Sequence, residues 1–104
     1  MRGTTKVFRA LADPTRRQIL QELKGTELAA GAIVSLFQIS GPSISRHLTI
    51  LKEAELIGER RDGNRIFYRL LEENLAMYVG DFLSAVCPTQ MVQRNKINRR
   101  KHSL

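Results

Sequence analysis

The segment Ile39–Ile57, ISGPSISRHLTILKEAELI, decides how the rest of the chain is read. Ile44, Leu48 and Leu51 fall at i, i+4 and i+7, which predicts a single apolar stripe on a helix. At about 100° per residue from Ile44, Arg46 and Thr49 point away from that stripe, while Ser43 and Ser45 lie on its flanks. Ser40 or Gly41 can cap this helix, and Pro42 fits its first turn, where a missing N–H costs nothing. The back is apolar; the front is small, hydrogen-bonding and cationic. Short serines let a backbone approach a polymer surface, and the Arg46 fork can grip a guanine edge or a phosphate. Any amphipathic surface helix has a polar side, so the neighbouring sequence has to decide.

Immediately before it, Ala30–Phe37 (AGAIVSLF) predicts a second short helix with Ile33, Leu36 and Phe37 inward, followed by a tight turn over Gln38–Gly41. Helix, tight turn and polar-fronted helix make the helix-turn-helix pattern, whose second helix enters the major groove of DNA. After it come Gly58-Glu59-Arg60-Arg61, the turn Asp62-Gly63-Asn64, and RIFYRL over residues 65–70. Ile66, Tyr68 and Leu70 alternate, and Asp-Gly between two extended runs is a strong hairpin signal. So small a strand pair is not stable alone and must lie on the helices through Ile66, Tyr68 and Leu70. Arg60, Arg61 and Arg65 then sit near the tip of a "wing", and Arg61 and Arg65 are expected to hold phosphates or the minor groove.

Composition narrows the partner. At 104 residues the chain is long enough for one domain, and 17 basic against 10 acidic residues give +7. The basic excess lies in residues 1–24, in the recognition region and in the tail, whereas 71–87 is acidic. Such a balance favours a polyanion, without separating DNA from RNA or an anionic membrane. Cys87 is the single cysteine, which excludes an internal disulfide and a four-thiolate site and fits a reducing cytoplasm. No apolar run is long enough for membrane insertion, and Met1-Arg2-Gly3 is not followed by a signal-peptide core. There is no Gly-rich phosphate loop, no Ser/His/Asp set and no carboxylate cluster, so neither an enzyme nor a cofactor is expected.

Towards the N-terminus, Thr4 or Thr5 can cap a first helix running to about Ala12 with Val7, Phe8, Ala10 and Leu11 apolar. Asp13 caps a second, Pro14 to about Lys24, which buries Ile19, Leu20 and Leu23 and stops at Gly25. Arg16 and Arg17 stand at the wrong end for its dipole, which suggests a phosphate contact or an ion pair with Asp13 or Glu22. The last helix, Glu72 to about Cys87, carries Leu71, Leu75, Tyr78, Val79, Phe82, Leu83 and Val86, a wider apolar arc than one core needs. The expected cover is the same helix of a second copy together with the first helix. The interface residues are then Val7, Phe8, Leu11, Leu75, Tyr78, Val79, Phe82 and Val86. A two-fold dimer also sets two recognition helices one DNA turn apart on a palindrome.

In this order and spacing, VFRALADPTRRQIL, SISRHLTILKEAELI and RRDGNRIFYRL resemble the arsenic-repressor (ArsR) family of bacterial winged-helix regulators, from about Val7 to Val86. The resemblance implies a homodimeric transcriptional repressor of order α-α-α-α-β-β-α, mainly helical with a small β-hairpin, dimerised through its first and last helices. Metal-sensing members carry Cys-x-Cys at the start of the helix-turn-helix, where this chain has Ile33-Val34-Ser35-Leu36-Phe37, or Asp and His pairs on the last helix, which here offers only Asp81. No set of three or four converging ligands is present, so no metal site is expected, and the chain is most similar to the SdpR-like autorepressor branch.

The expectation is a domain over 1–88 with a flexible basic tail over 89–104. It binds double-stranded DNA through Ser40, Pro42, Ser43, Ser45, Arg46, Thr49, Arg61 and Arg65, and answers to an effector or an anti-repressor protein. The rival readings are a winged-helix RNA-binding module, a protein-interaction module, and a repressor with a thiol switch at Cys87. His47, near the edge of the apolar stripe, is read as a packing or phosphate-contacting residue.

Overall fold

The computed structural model describes residues 2–88; the tail expected over 89–104 lies outside the described residues. The elements run α1 (Arg2–Leu11), α2 (Pro14–Glu22), β1 (Glu27–Ala29), α3 (Ala30–Ser35), α4 (Gly41–Glu53), β2 (Ile57–Asp62), β3 (Arg65–Leu70) and α5 (Glu72–Val86). The core gathers Val7 and Ala10 of α1, Ile19 and Leu20 of α2 with Leu23 just after it, Ile33 of α3, the Ile44, Leu48 and Leu51 stripe of α4, and Ala54, Leu56 and Ile57. The expected stripe is therefore the middle of the core. Burying each such aliphatic side chain contributes about 1.5–3 kcal/mol.

The winged helix-turn-helix is as expected, with one addition. β1 pairs antiparallel with β3, Leu28 opposite Tyr68, so the hairpin is part of a three-stranded sheet of order β1-β3-β2. Three residues of Glu-Leu-Ala are too few to show alternation and have little strand preference; the pairing is imposed by β3. Within the hairpin, Asp62 lies opposite Arg65, leaving a two-residue loop in which Gly63 takes φ 63°. Alternation along the strands divides the side chains. Ile57, Glu59, Arg61, Ile66, Tyr68 and Leu70 share one face, on which Tyr68 and Leu70 pack against the core, and Arg60, Arg65, Phe67 and Arg69 share the other.

Several boundaries move. α1 begins at Arg2 rather than at Thr4 or Thr5, and α2 ends at Glu22, with Gly25 (φ 71°) reversing the chain beyond it. Leu36, expected inward, is the C-cap of α3 and stays 52% exposed. On α5 no residue is fully buried, and the division of its stripe runs along the helix. Leu75, Tyr78 and Val79 pack against the core, while Phe82, Leu83 and Val86 extend past it, Val86 being 66% exposed. At the other end of the contact with α1, a Cβ on Gly3 would lie 2.8 Å from the Tyr78 hydroxyl oxygen.

α4 ends in a Schellman arrangement: Glu55 N–H donates to the Lys52 carbonyl and Leu56 N–H to the Leu51 carbonyl. Glu55 holds the left-handed conformation at φ 61°, where a side chain costs roughly 1–2 kcal/mol. Its carbonyl accepts from Asn74 Nδ2 at 2.9 Å, which ties the start of α5 to the end of α4. Glu55→Gly removes that strain against a smaller loss to chain entropy, so stability should rise by about 0.5–1 kcal/mol. A higher urea midpoint with unchanged m-value is the expected reading; a lower midpoint would show that Glu55 is not strained.

Candidate nucleic-acid interface

The interface is built from the front of α4. Ser40 caps the helix, its Oγ accepting from Ser43 N–H at 3.2 Å and donating to Ser43 Oγ at 3.0 Å, with Gly41 and Pro42 opening the first turn. Ser40 thus commits its hydroxyl to the helix start, a role it can combine with a nearby phosphate because helix N-termini favour anions. Ser45, Arg46 and Thr49 are exposed, and Ser43 is half-buried. Thr49 Oγ1 donates back to the Ser45 carbonyl at 3.0 Å, while the Arg46 side chain has no hydrogen-bond or ion-pair partner among the described residues. An unpaired guanidinium on a rigid helix front can bind a base edge or phosphate without first breaking a protein contact.

The wing joins this front. Lys52 Nζ donates to Glu59 Oε1 at 3.0 Å, linking α4 to β2 on the face that also carries Arg61. Arg61 and Arg65, expected together at the tip, lie on opposite faces of the ribbon. Arg61 is exposed without a partner among the described residues, whereas Arg65 sits 5.0 Å from the centre of the Phe67 ring. Arg60 lies over the same ring at 4.5 Å and binds Glu27 of β1 through Nε and Nη2, the shortest contact being 2.7 Å. The Arg60 hydrogen bond and charge hold the Glu27 carboxyl below the usual carboxylate range. Arg60 is therefore a strut across the sheet, and Phe67 is covered by cations instead of being open for base stacking.

The expected ion pair with Asp13 or Glu22 is not formed by the side chain of Arg16 or of Arg17 among the described residues. Arg16 Nε donates to the Ala10 carbonyl at 2.8 Å and Nη2 to the Arg9 carbonyl at 3.0 Å, and Arg17 Nη1 donates to the Leu11 carbonyl at 2.7 Å. Their task is to close the C-terminus of α1, where unpaired carbonyls and the negative end of the dipole favour cations. Arg16 Nη1 also lies 3.2 Å from His47 Nδ1. His47 is thus a half-buried acceptor joining α4 to the α1–α2 corner, and Asp13 Oδ2 stands 3.9 Å from the same nitrogen. Periodicity cannot reveal such a contact, because Arg16 and His47 are far apart in sequence.

The helices expected to dimerise meet through Phe8 and Phe82, whose rings are edge-to-face with centroids 5.0 Å apart. Val7 is fully buried inside the protomer and cannot touch a second copy; its place in the stripe of α1 faces the core, not the interface. Leu11, Leu75, Tyr78 and Val79 pack partly on the protomer's own core, leaving Phe8, Phe82, Leu83 and Val86 as the outward apolar end. Met77, 49% exposed, lies outside the stripe expected to form the seam. Cys87 is half-buried just beyond α5. Among the described residues no three His, Cys, Asp or Glu side chains converge, and no helix is long and apolar enough to cross a membrane.

A family profile described as a helix-turn-helix domain matches residues 11–60. The transcriptional repressor SdpR of Bacillus subtilis is 56% identical over 64 residues, covering 62% of this chain and 71% of that protein. An ArsR-like transcriptional regulator from a Rhodococcus species superimposes with a TM-score of 0.73 at 26% identity, over 94% of this chain and 91% of that one. A possible ArsR-family regulator from Mycobacterium bovis, whose solution structure is described as a homodimeric winged helix-turn-helix DNA-binding domain, superimposes with a TM-score of 0.66 at 31% identity, over 80% of this chain and 78% of that one.

Asp13 gives this region a measurable pH signature. Partial burial pushes its carboxyl up, but the Arg16 N–H hydrogen bond, the His47 ring when it is protonated and the Arg16 charge outweigh that and hold it below the ordinary aspartate range. A carboxyl lowered by folding stabilises the protein above its unfolded value, about 3.9, and ceases to do so as pH falls through the folded value. Asp13→Ala should therefore cost about 1 kcal/mol near neutral pH by removing the cap. The difference from wild type should shrink as pH drops below about 4, measured by urea unfolding across pH; a pH-independent difference would remove the carboxylate from the account.

Proposed function

The chain belongs to the arsenic-repressor (ArsR) family of winged helix-turn-helix regulators, and on that premise we propose a homodimeric repressor that reads a palindromic operator in double-stranded DNA. The observation that carries the reading is the unpaired, exposed Arg46 on a helix whose back is locked into the core. In this reading Ser43, Ser45, Arg46 and Thr49 enter the major groove, with Ser40 and Pro42 at the helix start against the backbone. Arg61 and Arg65 hold the flanking phosphates from the two faces of the wing. The homodimeric Mycobacterium bovis domain supports pairing of two copies. The outward Phe8, Phe82, Leu83 and Val86 supply an apolar surface for that seam.

A non-enzymatic, cytoplasmic regulator is the fuller proposal, its effector an inducing molecule or anti-repressor protein that acts on the dimer. The RNA alternative is disfavoured by the sheet, since Arg60 and Arg65 cover Phe67, its one candidate for stacking.

Two experiments test this reading. Arg46→Ala should weaken binding by about 1–3 kcal/mol per half-site and relax preference at one base position, measured by gel shift against an operator selected from random duplexes. Unchanged affinity and preference would remove Arg46 from base contact. Phe82→Glu places a charge on the seam and should yield monomers in sedimentation with weakened operator binding; an undisturbed dimer would place the seam elsewhere.

A further inference from the structure

The two flanks of α4 are both cationic, and only one of them belongs to the wing. From buried Ile44, at about 100° per residue, Lys52, Ser45 and Thr49 fall roughly 80–140° to one side, and Ala54, Ile50 and Arg46 roughly 80–160° to the other, with Glu53 opposite. The Lys52–Glu59 ion pair identifies the first flank as the wing side. Along the second, Ile50, Glu53 and Ala54 form a groove of about 410 Å³ with Lys6 and Arg9 of α1 and Arg16 of α2. Arg16 is committed to the Arg9 and Ala10 carbonyls and to His47. Lys6 and Arg9 are exposed, and neither side chain has a partner among the described residues.

A helix about 10–12 Å across fills a major groove about 12 Å wide, so groups standing beside it on either flank meet the phosphates of the two opposite lips. We infer that Lys6 and Arg9 bind DNA phosphates on the lip opposite the wing, so that each protomer grips the groove from both sides. This rests on the functional reading above and gives α1 a second task, since the same helix carries Phe8 into the dimer seam. Glu53 is the one carboxylate lining this groove and opposes the anion, so its neutralisation should tighten binding. Phosphate contacts of this kind carry no base preference; they raise affinity for all duplexes and steepen its salt dependence.

The test is the dependence of affinity on salt for the full chain, with operator and with random duplex, in Lys6→Ala, Arg9→Ala and Glu53→Gln. Removing one phosphate-binding cation lowers the slope of log affinity against log salt by about 0.9, so a single alanine variant, acting twice per dimer, should lower it by about 1.8. The ratio of operator to random binding should stay as in wild type, sedimentation should still show dimers, Arg9→Lys should restore the slope, and Glu53→Gln should raise affinity for both duplexes. If Arg9→Ala disturbs the dimer, Lys6→Ala carries the test. An unchanged slope in Lys6→Ala, or an effect confined to the binding of inorganic phosphate by the free protein, overturns the inference. Arg46→Ala measured alongside separates the two failures. A loss of operator preference there, with unchanged slopes in the α1 variants, overturns the second grip alone; a wild type without operator preference overturns the functional reading and the grip with it.

Discussion

Everything functional in this molecule depends on the back of α4 being the protein's own core. Ile44, Leu48 and Leu51 pack with Val7, Ile19, Leu23 and Ile33, so the helix cannot roll without opening apolar contacts on three sides. Its front is consequently presented at a fixed angle, so a ligand has to order only the Arg46 side chain and not the helix beneath it. The ends are secured as firmly: Ser40 at the start, the Glu55 reversal at the finish, with Asn74 holding the reversed carbonyl. Strain at Glu55 is tolerated because the residues on both sides, Ala54 and Leu56, are buried.

A second fixture is the corner at Arg16. One guanidinium spans the carbonyl end of α1, the start of α2 and His47 of α4, so α1 and the helix that carries Arg46 share a side chain. A change in the packing of α1 therefore has a polar route to α4 through Arg16 as well as the apolar one through Val7.

What could be read from the sequence was what repeats or what has a fixed local chemistry. The i, i+4, i+7 spacing of Ile44, Leu48 and Leu51 marked their burial, Asp13 and Ser40 their caps, and Asp62-Gly63 its turn. β1 was invisible because its conformation is borrowed from β3, and the work of Arg16 and Arg17 because it depends on how two helices meet. Val7 shows a third reason. A wheel tells which residues share a side of α1, but not that this side faces inward while Phe8 next to it reaches Phe82. On α5 the same limitation ran lengthwise, the apolar stripe continuing after the core had ended.

Among the described residues the strand order β1-β3-β2 leaves one edge of β2 unpaired, and from Glu59 to Asp62 that strand reads Glu-Arg-Arg-Asp, its side chains alternating between the two faces. A bare ribbon edge is a template for another ribbon. A charged residue at every position of that run makes the addition of a further strand costly, which blunts the edge as a template.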